Sequence, residues 1–466
     1  MRFLFVIDDF AGHLTASAGL ARRLAGAGHK TLFLASPESG LLLQGLGVSH
    51  RAEPWMTRWG PSRPFWETLR RRRETARERQ AILAEAQASV RRAVDEFQPD
   101  LVVIDPFVLF TFPFFWRLGV RCVALSSKPL LSFDPLVPPY TTAFAPRGER
   151  MDRWRVGWLW ARQWGKGLWA WADDWFWSLI IGASPLTDYR MASRRVAFPL
   201  RRYWRGRPVA FDRRFKSVPE IVLWPKEFDL PRRWGAPDDA FFVGGCHNEN
   251  DAGSADVQAL LPQGDGPLIY CSLGTVRRVA DPNILMFYRA VVAALLEDSK
   301  IRLVLATGVE SEASKLVESL PSLPDHIRIV GLAPQRDILP KVDLLITHGG
   351  TNSIKEAIAH DVPMLVFPRR ADQPGCAARV AFHGLGAARS IDKATPASLR
   401  QDIAALLGDP TLTRRVAAMR QAFERYDQEN VAVMTMERLV GLARSRAKND
   451  PHWFVENRRK PATLNL

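Results

Sequence analysis

Short apolar runs alternate with amphipathic stretches along most of the chain. The run Phe3–Ile7 is followed by Leu14, Ala18, Ala21 and Ala25, which recur at helical spacing. Further apolar runs predict strands at Lys30–Ala35, Leu101–Ile104, Arg121–Leu125, Leu268–Leu273, Arg302–Ala306, Ile327–Val330, Leu344–Thr347 and Met364–Phe367. Longer stretches predict helices at Glu67–Glu96 and near Asn283–Leu296. Repeated alternation of strand and helix predicts an α/β protein with parallel sheets.

A change of composition divides the chain into two α/β halves. Between Asp238 and Gly266 the residues are mostly Asp, Gly, Asn, Pro and Gln, which is typical of a linker. We therefore predict an N-terminal domain at 1–245, a linker at 246–266, a C-terminal domain at 267–445 and a tail at 446–466. Trp453 and Phe454 in the tail indicate that it docks on another part of the molecule.

Composition and charge limit the class of protein. The 466 residues are 47% hydrophobic and 24% charged, which is typical of a globular chain and excludes wholesale disorder and fibrous proteins. The four cysteines include no pair two residues apart, which argues against a disulfide framework and the common zinc motifs. The first apolar run is too short for a signal peptide, so we expect a cytoplasmic protein. The net charge of +15 bears on partners rather than on the fold.

A glycine-rich segment, His348–Ser353, follows the predicted strand Leu344–Thr347 and opens a helix. Glycines there allow close approach of the backbone, and free N–H groups at a helix start bind anions. Glu356, one turn beyond Ser353, could accept hydrogen bonds from ribose hydroxyls. A helix cap with a tight turn would explain the glycines alone but not the whole ordered set. The pattern predicts a site for a nucleotide with a diphosphate.

Residues 327–386 resemble the donor-binding signature of family-1 glycosyltransferases, the UDP-glycosyltransferase superfamily, and 2–30 and 267–275 also fit it. The motifs are Gly331–Gln335, His348–Ser353 with Glu356, and Pro368–Gln373. The resemblance implies a bacterial-type enzyme with a GT-B fold, in which two Rossmann-like domains face each other across a cleft. The C-terminal domain would bind the nucleotide sugar and the N-terminal domain the acceptor. The tail would pack back on the N-terminal domain.

The resemblance also assigns roles to individual residues. The nucleotide-sugar-binding positions that it implies are Ser272, Thr275, Ala333, Gln335, His348, Gly350, Asn352, Ser353, Glu356, Asp372 and Gln373. Within this set Gln335 and Glu356 would contact the ribose, and Asp372 and Gln373 the sugar hydroxyls. The diphosphate would be bound by His348, Asn352 and Ser353, with help from Ser272 and Thr275. Leu332 stands where many members have a Trp that stacks on uracil. A thymidine diphosphate donor therefore stays open beside a uridine one.

The first domain supplies a candidate base. His13 lies in the loop after the first strand, where α/β sites form, and family members place a catalytic His there. An acceptor hydroxyl must lose its proton as it attacks the anomeric carbon, and His titrates near working pH. Asp105, after the strand Leu101–Ile104, matches the family's partner Asp. Asp8 and Asp9 are a weaker alternative, and neither a metal site nor a cofactor is expected.

Residues 151–181 form a Trp-rich segment. On a helical wheel, one half holds Trp154, Trp158, Trp160, Trp164, Trp169, Trp171 and Trp175. The other half holds Arg155, Arg162, Lys166, Asp173 and Asp174. Such a helix is typical of a membrane interface. The same pattern fits a lid over a hydrophobic acceptor or a face packed in the core.

The sequence therefore predicts an inverting hexosyltransferase. UDP-glucose is the default donor, and the acceptor is a lipid, carotenoid or polyketide-like molecule that is reached from an anionic membrane surface. Arg369 and Arg370 precede the Asp-Gln pair and leave a UDP-uronic acid donor open. A nucleic-acid-binding protein is the alternative from another class, but its basic residues match no recognised module, so nucleic acid is not expected as a partner. A scaffold that has lost catalysis conflicts with intact His13, Asp105 and Asp372.

Overall fold

The structure is a computed structural model, and it describes residues 1–57, 72–180, 185–204, 215–216, 218–246, 257–274, 282–320 and 322–447. Within these ranges the chain forms two parallel sheets with helices packed against them. The strands of the first sheet are β1 (Arg2–Val6), β2 (Lys30–Ala35), β3 (His50–Ala52), β4 (Leu101–Ile104), β5 (Cys122–Ser126), β6 (Glu220–Val222) and β7 (Ala240–Phe242). Their order is β3-β2-β1-β4-β5-β6-β7.

The second sheet repeats the same plan. Its strands are β8 (Leu268–Ser272), β9 (Arg302–Ala306), β10 (Ile327–Val330), β11 (Leu344–Thr347), β12 (Met364–Val366) and β13 (Gly386–Ala388). Their order is β10-β9-β8-β11-β12-β13, and all pairs are parallel. Two sheets of this kind, each with a reversal of strand order beside its first strand, are two Rossmann-like domains. The predicted fold class is confirmed.

Helices connect the strands in both halves. In the first half they are α1 (Ala11–Gly26), α2 (Gly40–Gly45), α3 (Pro54–Thr57), α4 (Arg72–Phe97), α5 (Phe112–Arg117), α6 (Arg150–Ile180), α7 (Pro185–Arg195) and α8 (Leu200–Tyr203). In the second half they are α9 (Pro282–Leu295), α10 (Glu310–Glu318), α11 (Gln335–Ile338), α12 (Thr351–Ala359), α13 (Gln373–Phe382), α14 (Pro396–Leu407), α15 (Leu412–Gln428) and α16 (Val431–Ala447).

Long apolar strands were easier to predict than short ones. The predicted strands at 30–35, 101–104, 302–306, 327–330 and 344–347 have the bounds that the structure gives. Four further strands, β3, β6, β7 and β13, have three residues each and were not predicted. They are too short to show a period along the sequence, and each forms by pairing with the adjacent strand of its sheet. The predicted helix at 67–96 begins at Arg72 among the described residues.

The chain returns to the first domain earlier than the predicted tail. Helix α16 packs on α1, with Ala432, Val433, Met436 and Val440 in the same buried cluster as the core of the first sheet. Arg23 on α1 and Asp427 near the end of α15 form an ion pair of 2.7 Å at this crossing. By packing, 431–447 therefore belongs to the first domain rather than to 267–445. The tail at 448–466, with Trp453 and Phe454, lies outside the described residues.

The two domains contact each other at the carboxyl ends of their strands. The side-chain amide of Asn352, at the start of α12, donates to the Gly12 carbonyl at the start of α1 over 3.2 Å. Tyr140, in the loop after β5, lies against Gly375 of α13. Deeper in the interface, Arg379 donates to the Asp229 carboxylate over 2.5 Å. These contacts place the ends of β1, β4 and β5 opposite those of β8, β11 and β12, with a cleft between them.

Candidate active site

His13 and Asp105 form a hydrogen-bonded pair on the side of the cleft that the first domain provides. The Nδ1 atom of His13 lies 2.6 Å from an Asp105 carboxylate oxygen. The other oxygen of Asp105 accepts from the Phe107 backbone N–H over 2.8 Å, which fixes the carboxylate. Burial lowers the pKa of His13, but the adjacent Asp105 charge and hydrogen bond outweigh it and leave the pKa above its usual value. With Nδ1 held by Asp105, Nε2 is the ring nitrogen that can take a proton from an acceptor.

Two aromatic rings flank this pair. The rings of Phe10 and Phe107 lie 5.7 and 5.3 Å from the His13 ring, centre to centre, and both phenylalanines are partly exposed. Burial and the nearby Asp105 charge raise the pKa of Asp8 to about 6. Asp9 instead accepts hydrogen bonds from Ser36 and Ser39, so its carboxylate anchors the loop after β2 rather than the His13 ring.

On the donor side, His348 is packed tightly by glycines. A Cβ atom at Gly274 or at Gly350 would stand 2.8 or 2.7 Å from the His348 ring, and Gly349 has a φ of 79°. Burial first, and then the charges of Arg369 and Arg370, lower the pKa of His348 to about 4. The imidazole is therefore neutral at pH 7, and it would bind a phosphate through one N–H rather than through a positive charge.

The predicted ribose-binding residues already form one network. The Gln335 amide donates to Glu356 over 2.5 Å and to the Ser353 hydroxyl over 3.2 Å. Arg336 donates to the other oxygen of Glu356 over 3.1 Å. These bonds orient the Glu356 carboxylate, which lies in the second turn of α12. Sequence reasoning did not single out Arg336, and its position directly after Gln335 was the available signal.

The turn before α13 places the predicted sugar-binding residues. Ala371 has a φ of 55°, a left-handed conformation that costs energy for a residue other than glycine. The side-chain oxygen of Gln373 accepts from the backbone N–H groups of Arg369 and Arg370 over 3.0 and 3.1 Å. The side-chain oxygen of Gln373 therefore closes the turn. The amide nitrogen of the same side chain is the group that could donate to a ligand. Asp372 is partly exposed directly before α13.

The remaining predicted donor-binding positions, Ser272, Ala333 and Thr275, differ in burial and in whether the structure describes them. Ser272 is buried at the end of β8, where its hydroxyl accepts from the Gly274 backbone over 3.4 Å. Ala333 is partly buried, and Leu332 beside it is 66% exposed. Leu332 could thus contact a base through its side chain without stacking as Trp does. Thr275 lies outside the described residues.

Helix α6, the Trp-rich segment, has two different aromatic sides. Trp160 is 3% exposed, and its indole N–H donates to the Val137 carbonyl over 2.7 Å. Phe133, which lies in the segment after β5, contacts the rings of Trp160, Trp164 and Trp234. Core packing is thus the correct interpretation for Trp160, and the membrane interpretation is wrong for that residue.

The outward side of α6 carries a series of exposed apolar side chains. Its members recur at helical spacing, and Trp154, Trp158 and Trp169 are 79%, 60% and 81% exposed. We call these residues the outer stripe: Met151, Trp154, Trp158, Leu168, Trp169 and Trp175. The side chain of Trp171 lies outside the described residues. Exposed apolar patches of this kind are typical of contact with another surface.

Lys128 was missed by the sequence reasoning, although it lies against the Phe107 ring beside His13. It follows β5, and its Nζ atom lies 4.6 Å from the centre of the Phe107 ring. A single Lys after a strand gives no pattern, so only the position at the carboxyl end of the sheet could have found it. Among the described residues no group of three or more His, Cys, Asp or Glu could hold a metal ion. None of the described helices is long and apolar enough to cross a membrane.

Comparisons with known proteins point to glycosyltransferases. A family model described as the erythromycin biosynthesis protein CIII-like C-terminal domain matches residues 306–432. The NDP-glycosyltransferase YjiC of Bacillus subtilis is 34% identical over 209 residues, which are 44% of this chain and 50% of the relative. Zeaxanthin glucosyltransferase of Pantoea ananas is 29% identical over 210 residues, 45% of this chain and 46% of the relative. The chain thus spans about half the length of the curated relatives it matches.

Solved structures share the fold over nearly the whole chain. The glycosyltransferase of kitacinnamycin superposes with a TM-score of 0.62 at 20% identity, covering 94% of this chain and 98% of that one. The glycosyltransferase VinC, solved in complex with dTDP, gives a TM-score of 0.58 at 19% identity, with 94% and 100% covered. The predicted resemblance to bacterial family-1 glycosyltransferases and the GT-B fold are confirmed.

Proposed function

We propose that this chain, which resembles bacterial family-1 glycosyltransferases and has a GT-B fold, transfers a hexose from a nucleoside diphosphate sugar to an acceptor hydroxyl. One observation carries the proposal. The His13–Asp105 pair lies directly beside the contact between the two domains, where Asn352 at the start of α12 donates to the Gly12 carbonyl. A donor held at α12 would therefore present its anomeric carbon close to the base.

The residues divide the chemistry between the two walls. His13 Nε2 takes the proton of the acceptor hydroxyl as its oxygen bonds to the anomeric carbon, and Asp105 stabilises the resulting imidazolium. The bond between that carbon and the diphosphate oxygen breaks, and the nucleoside diphosphate leaves with the electron pair. Backbone N–H groups at the start of α12, with His348 as a neutral donor, stabilise the leaving charge. Attack from the face opposite the leaving group inverts the anomeric configuration.

The residues proposed to bind the donor fit a nucleoside diphosphate, but they do not distinguish uracil from thymine. Leu332 is exposed where a stacking Trp would stand, so uridine and thymidine remain comparable, and glucose is the default sugar. The curated relatives include a zeaxanthin glucosyltransferase and a demethyllactenocin mycarosyltransferase, which supports a hexose donor in general terms. The charges of Arg369 and Arg370 act on His348, so both lie near the diphosphate site, where they favour anionic donors.

A hydrophobic acceptor and reversible contact with an anionic membrane complete the proposal. The partly exposed Phe10 and Phe107 rings beside His13 would hold an apolar frame. The outer stripe of α6 has exposed basic residues on both of its flanks, among them Arg153 and Arg162. Trp rings favour the membrane interface, and basic residues add attraction to anionic lipids.

The test is a matrix of donors and acceptors. UDP-glucose, UDP-glucuronate and dTDP-glucose are each incubated with hydroxylated carotenoid, polyketide and lipid acceptors. We expect acceptor-dependent release of nucleoside diphosphate with at least one donor, and a product with the anomeric configuration opposite to that of the donor by NMR. If no nucleotide sugar binds, or bound donor is neither transferred nor hydrolysed with any acceptor class, the proposed function is wrong.

A further inference from the structure

The segment between β5 and α6, residues 127–149, runs from the base to the start of α13. We call it the β5 loop. Near its beginning, the Nζ atom of Lys128 lies 4.6 Å from the centre of the Phe107 ring, which flanks the base. Further along, Tyr140 lies so close to α13 that a Cβ atom at Gly375 would stand 2.7 Å from the Tyr140 carbonyl oxygen. The β5 loop therefore joins the base to the helix whose start carries the predicted sugar-binding residues.

A buried group of three charged side chains ties the β5 loop to α13. Arg379, in the second turn of α13, donates to one Asp229 carboxylate oxygen over 2.5 Å. Arg232 donates to the other Asp229 oxygen over 2.6 Å. The remaining N–H groups of Arg232 reach the Leu130 and Ser132 carbonyls of the β5 loop, each over 2.9 Å. Asp229 thus links a helix of the second domain to a loop of the first, and all three charged side chains are at most 6% exposed.

The charges of this group make the tie strong and show where it can be cut. Burial raises the pKa of Asp229, but the charges and hydrogen bonds of Arg379 and Arg232 outweigh burial and hold the pKa below its usual value. The carboxylate is therefore ionised at pH 7, and its bonds to the arginines are charge-assisted. Two arginines and one carboxylate leave one excess positive charge. Loss of Arg379 would therefore leave a neutral pair, whereas loss of Asp229 would bury two like charges.

The turn that carries the predicted sugar-binding residues is closed from within. The side-chain oxygen of Gln373 accepts from the backbone N–H groups of Arg369 and Arg370. One turn further along α13, Arg379 also donates to the Gly375 carbonyl over 3.0 Å. The turn and the first half of α13 therefore form one unit. The width of the cleft between this unit and the β5 loop depends on the contacts of Gly375 with Tyr140 and of Arg379 with Asp229.

This width matters for the reaction because water competes with the acceptor. Water can attack the anomeric carbon as an acceptor hydroxyl does, with its proton passing to His13 while the nucleoside diphosphate leaves, and the product is then the free sugar. A closed site excludes water and prevents this side reaction. We propose that Arg379 and Asp229 are positioning residues, which hold the β5 loop against α13 and so favour transfer over hydrolysis. The inference rests on the proposed function, because it concerns the selectivity of that same site.

The partition between transfer and hydrolysis tests the role of these residues. UDP-glucose and dTDP-glucose are each offered with the carotenoid, polyketide and lipid acceptors, and glycosylated product and free glucose are quantified by mass spectrometry. The ratio of the two products is independent of the fraction of folded enzyme, so a loss of stability alone does not change it. Calorimetry with UDP and dTDP reports the nucleotide site separately.

Arg379→Met should raise the ratio of hydrolysis to transfer by about 10-fold or more. A displacement of about 1 Å can slow a positioned reaction by about 100-fold, whereas water is small and abundant and needs little positioning. The Kd of the nucleoside diphosphate should stay within about twofold, since α12 is unaltered. Arg379→Lys keeps the charge but loses the fork that bonds two partners, so its ratio should be intermediate. Arg420→Met, which removes an ion pair with Asp361 beyond the far end of α12, is the matched control and should leave the ratio unchanged.

Gly375→Ala opens the same junction by a different route. Its Cβ atom would stand within 2.9 Å of three Tyr140 atoms, two of them in the backbone, so the β5 loop has to retreat. Alanine favours a helix over glycine, so α13 itself should be retained. The ratio of hydrolysis to transfer should rise as it does in Arg379→Met. Gly157→Ala on α6, where a Cβ atom meets no described atom within 4 Å, is the control.

Two results would overturn the inference. The first is an unchanged ratio in Arg379→Met when the unaltered protein transfers normally. The second is a loss of nucleoside diphosphate affinity as large as the loss of transfer, which would mean that the change acts on the nucleotide site. If Arg379→Met does not fold, Arg379→Lys and Gly375→Ala decide by the same criteria. An unaltered protein that transfers glucose to no acceptor would contradict the proposed function, and the inference with it.

Discussion

The two walls of the cleft are built in different ways. On the donor wall, the candidate residues from Gln335 to Gln373 come from one continuous stretch of chain, and hydrogen bonds already tie several of them together. On the acceptor wall, His13, Asp105 and Lys128 come from three strand ends that are far apart in sequence, and α6 adds a fourth segment. The first wall is fixed locally, and the second is fixed only by tertiary packing.

The difference has a physical reason. The donor wall binds a diphosphate, which needs glycines, free N–H groups and one ordered helix start, all within a few residues. The acceptor wall needs a base and an apolar surface, which any sheet can assemble from separate loops at its carboxyl edge. Variants on the acceptor wall should therefore change turnover and acceptor preference, and variants on the donor wall should change nucleotide affinity.

The largest effect is expected at the base. His13→Ala should lower kcat by about 10²- to 10⁴-fold, because it removes the group proposed to accept the proton from the hydroxyl. The Kd of the nucleoside diphosphate, measured by calorimetry, should stay within about twofold, since His13 belongs to the other wall. Near-normal turnover with an aliphatic alcohol acceptor would refute the assignment of His13.

The pH profile gives a second measure of the same pair. A protonated His13 cannot act as a base, so kcat/KM should fall as pH drops through its raised pKa. Asp105→Asn removes the charge that raises this pKa. The acidic limb of the profile should therefore move to lower pH while kcat also falls. An unshifted limb would mean that another group, of which Asp8 is the nearest candidate, controls the acidic limb.

The outer stripe should give the next largest effect. If half of each ring leaves water, roughly 100 Å² at about 25 cal/mol/Å² gives about 2.5 kcal/mol for each Trp. Replacing Trp154, Trp158 and Trp169 with Ser should therefore lower binding to anionic vesicles by at least about 100-fold in co-sedimentation. The thermal stability should change little, because these side chains are exposed.

Two controls separate membrane contact from packing. Leu41→Ser removes an exposed apolar residue from α2 and should leave vesicle binding unchanged. Trp160→Ser removes a buried ring and should lower the melting temperature instead. If the unaltered protein ignores anionic vesicles at low salt, the membrane contact is refuted. If the triple variant binds vesicles normally and loses only acceptor affinity, α6 is a lid.

On the donor wall the expected losses are smaller. Glu356→Ala removes a carboxylate that Gln335 and Arg336 orient, and it should weaken the nucleoside diphosphate by about 10- to 100-fold. Glu318→Ala, an exposed carboxylate on α10, is the matched control and should have no effect. In the Glu356→Ala variant, kcat with saturating donor should fall less than in His13→Ala. An unchanged Kd for the nucleoside diphosphate would mean that the ribose binds elsewhere.

The same contrast explains what the sequence could predict. The donor wall was accessible because the order of residues from 331 to 373 carries its chemistry, although the neutral state of His348 and the turn role of Gln373 depend on packing. On the acceptor wall, His13 and Asp105 were identified by their position after strands. Lys128 has no pattern around it. The wheel for α6 predicted a helix with a Trp-rich side, but only its neighbours Phe133 and Val137 determine that Trp160 is inside.

The smallest expected effect is a change of stability at Lys355, a residue of the second domain that packs against the first. Lys355 on α12 is buried, makes no side-chain hydrogen bond with the described residues, and lies 4.8 Å from the Trp224 ring beyond β6. Burial lowers its pKa to about 8, whereas an unfolded Lys titrates near 10.4. Replacement by an apolar side chain of similar size removes this desolvation cost, so Lys355→Met should stabilise the protein by about 1 kcal/mol at pH 7.

The pH dependence of that gain tests its cause. Between about pH 8 and 10.4 the unfolded chain binds the Lys355 proton and the folded protein does not, so the stability of the unaltered protein rises with pH through this window. The advantage of Lys355→Met should therefore shrink over the same range in urea unfolding, while Lys315→Met, at an exposed position on α10, shows no such trend. A variant that is destabilised at every pH would mean that the contact with Trp224 outweighs desolvation. In that case Lys355 stabilises the packing of α12 against the first domain, and the two walls are coupled through their shared core as well as across the cleft.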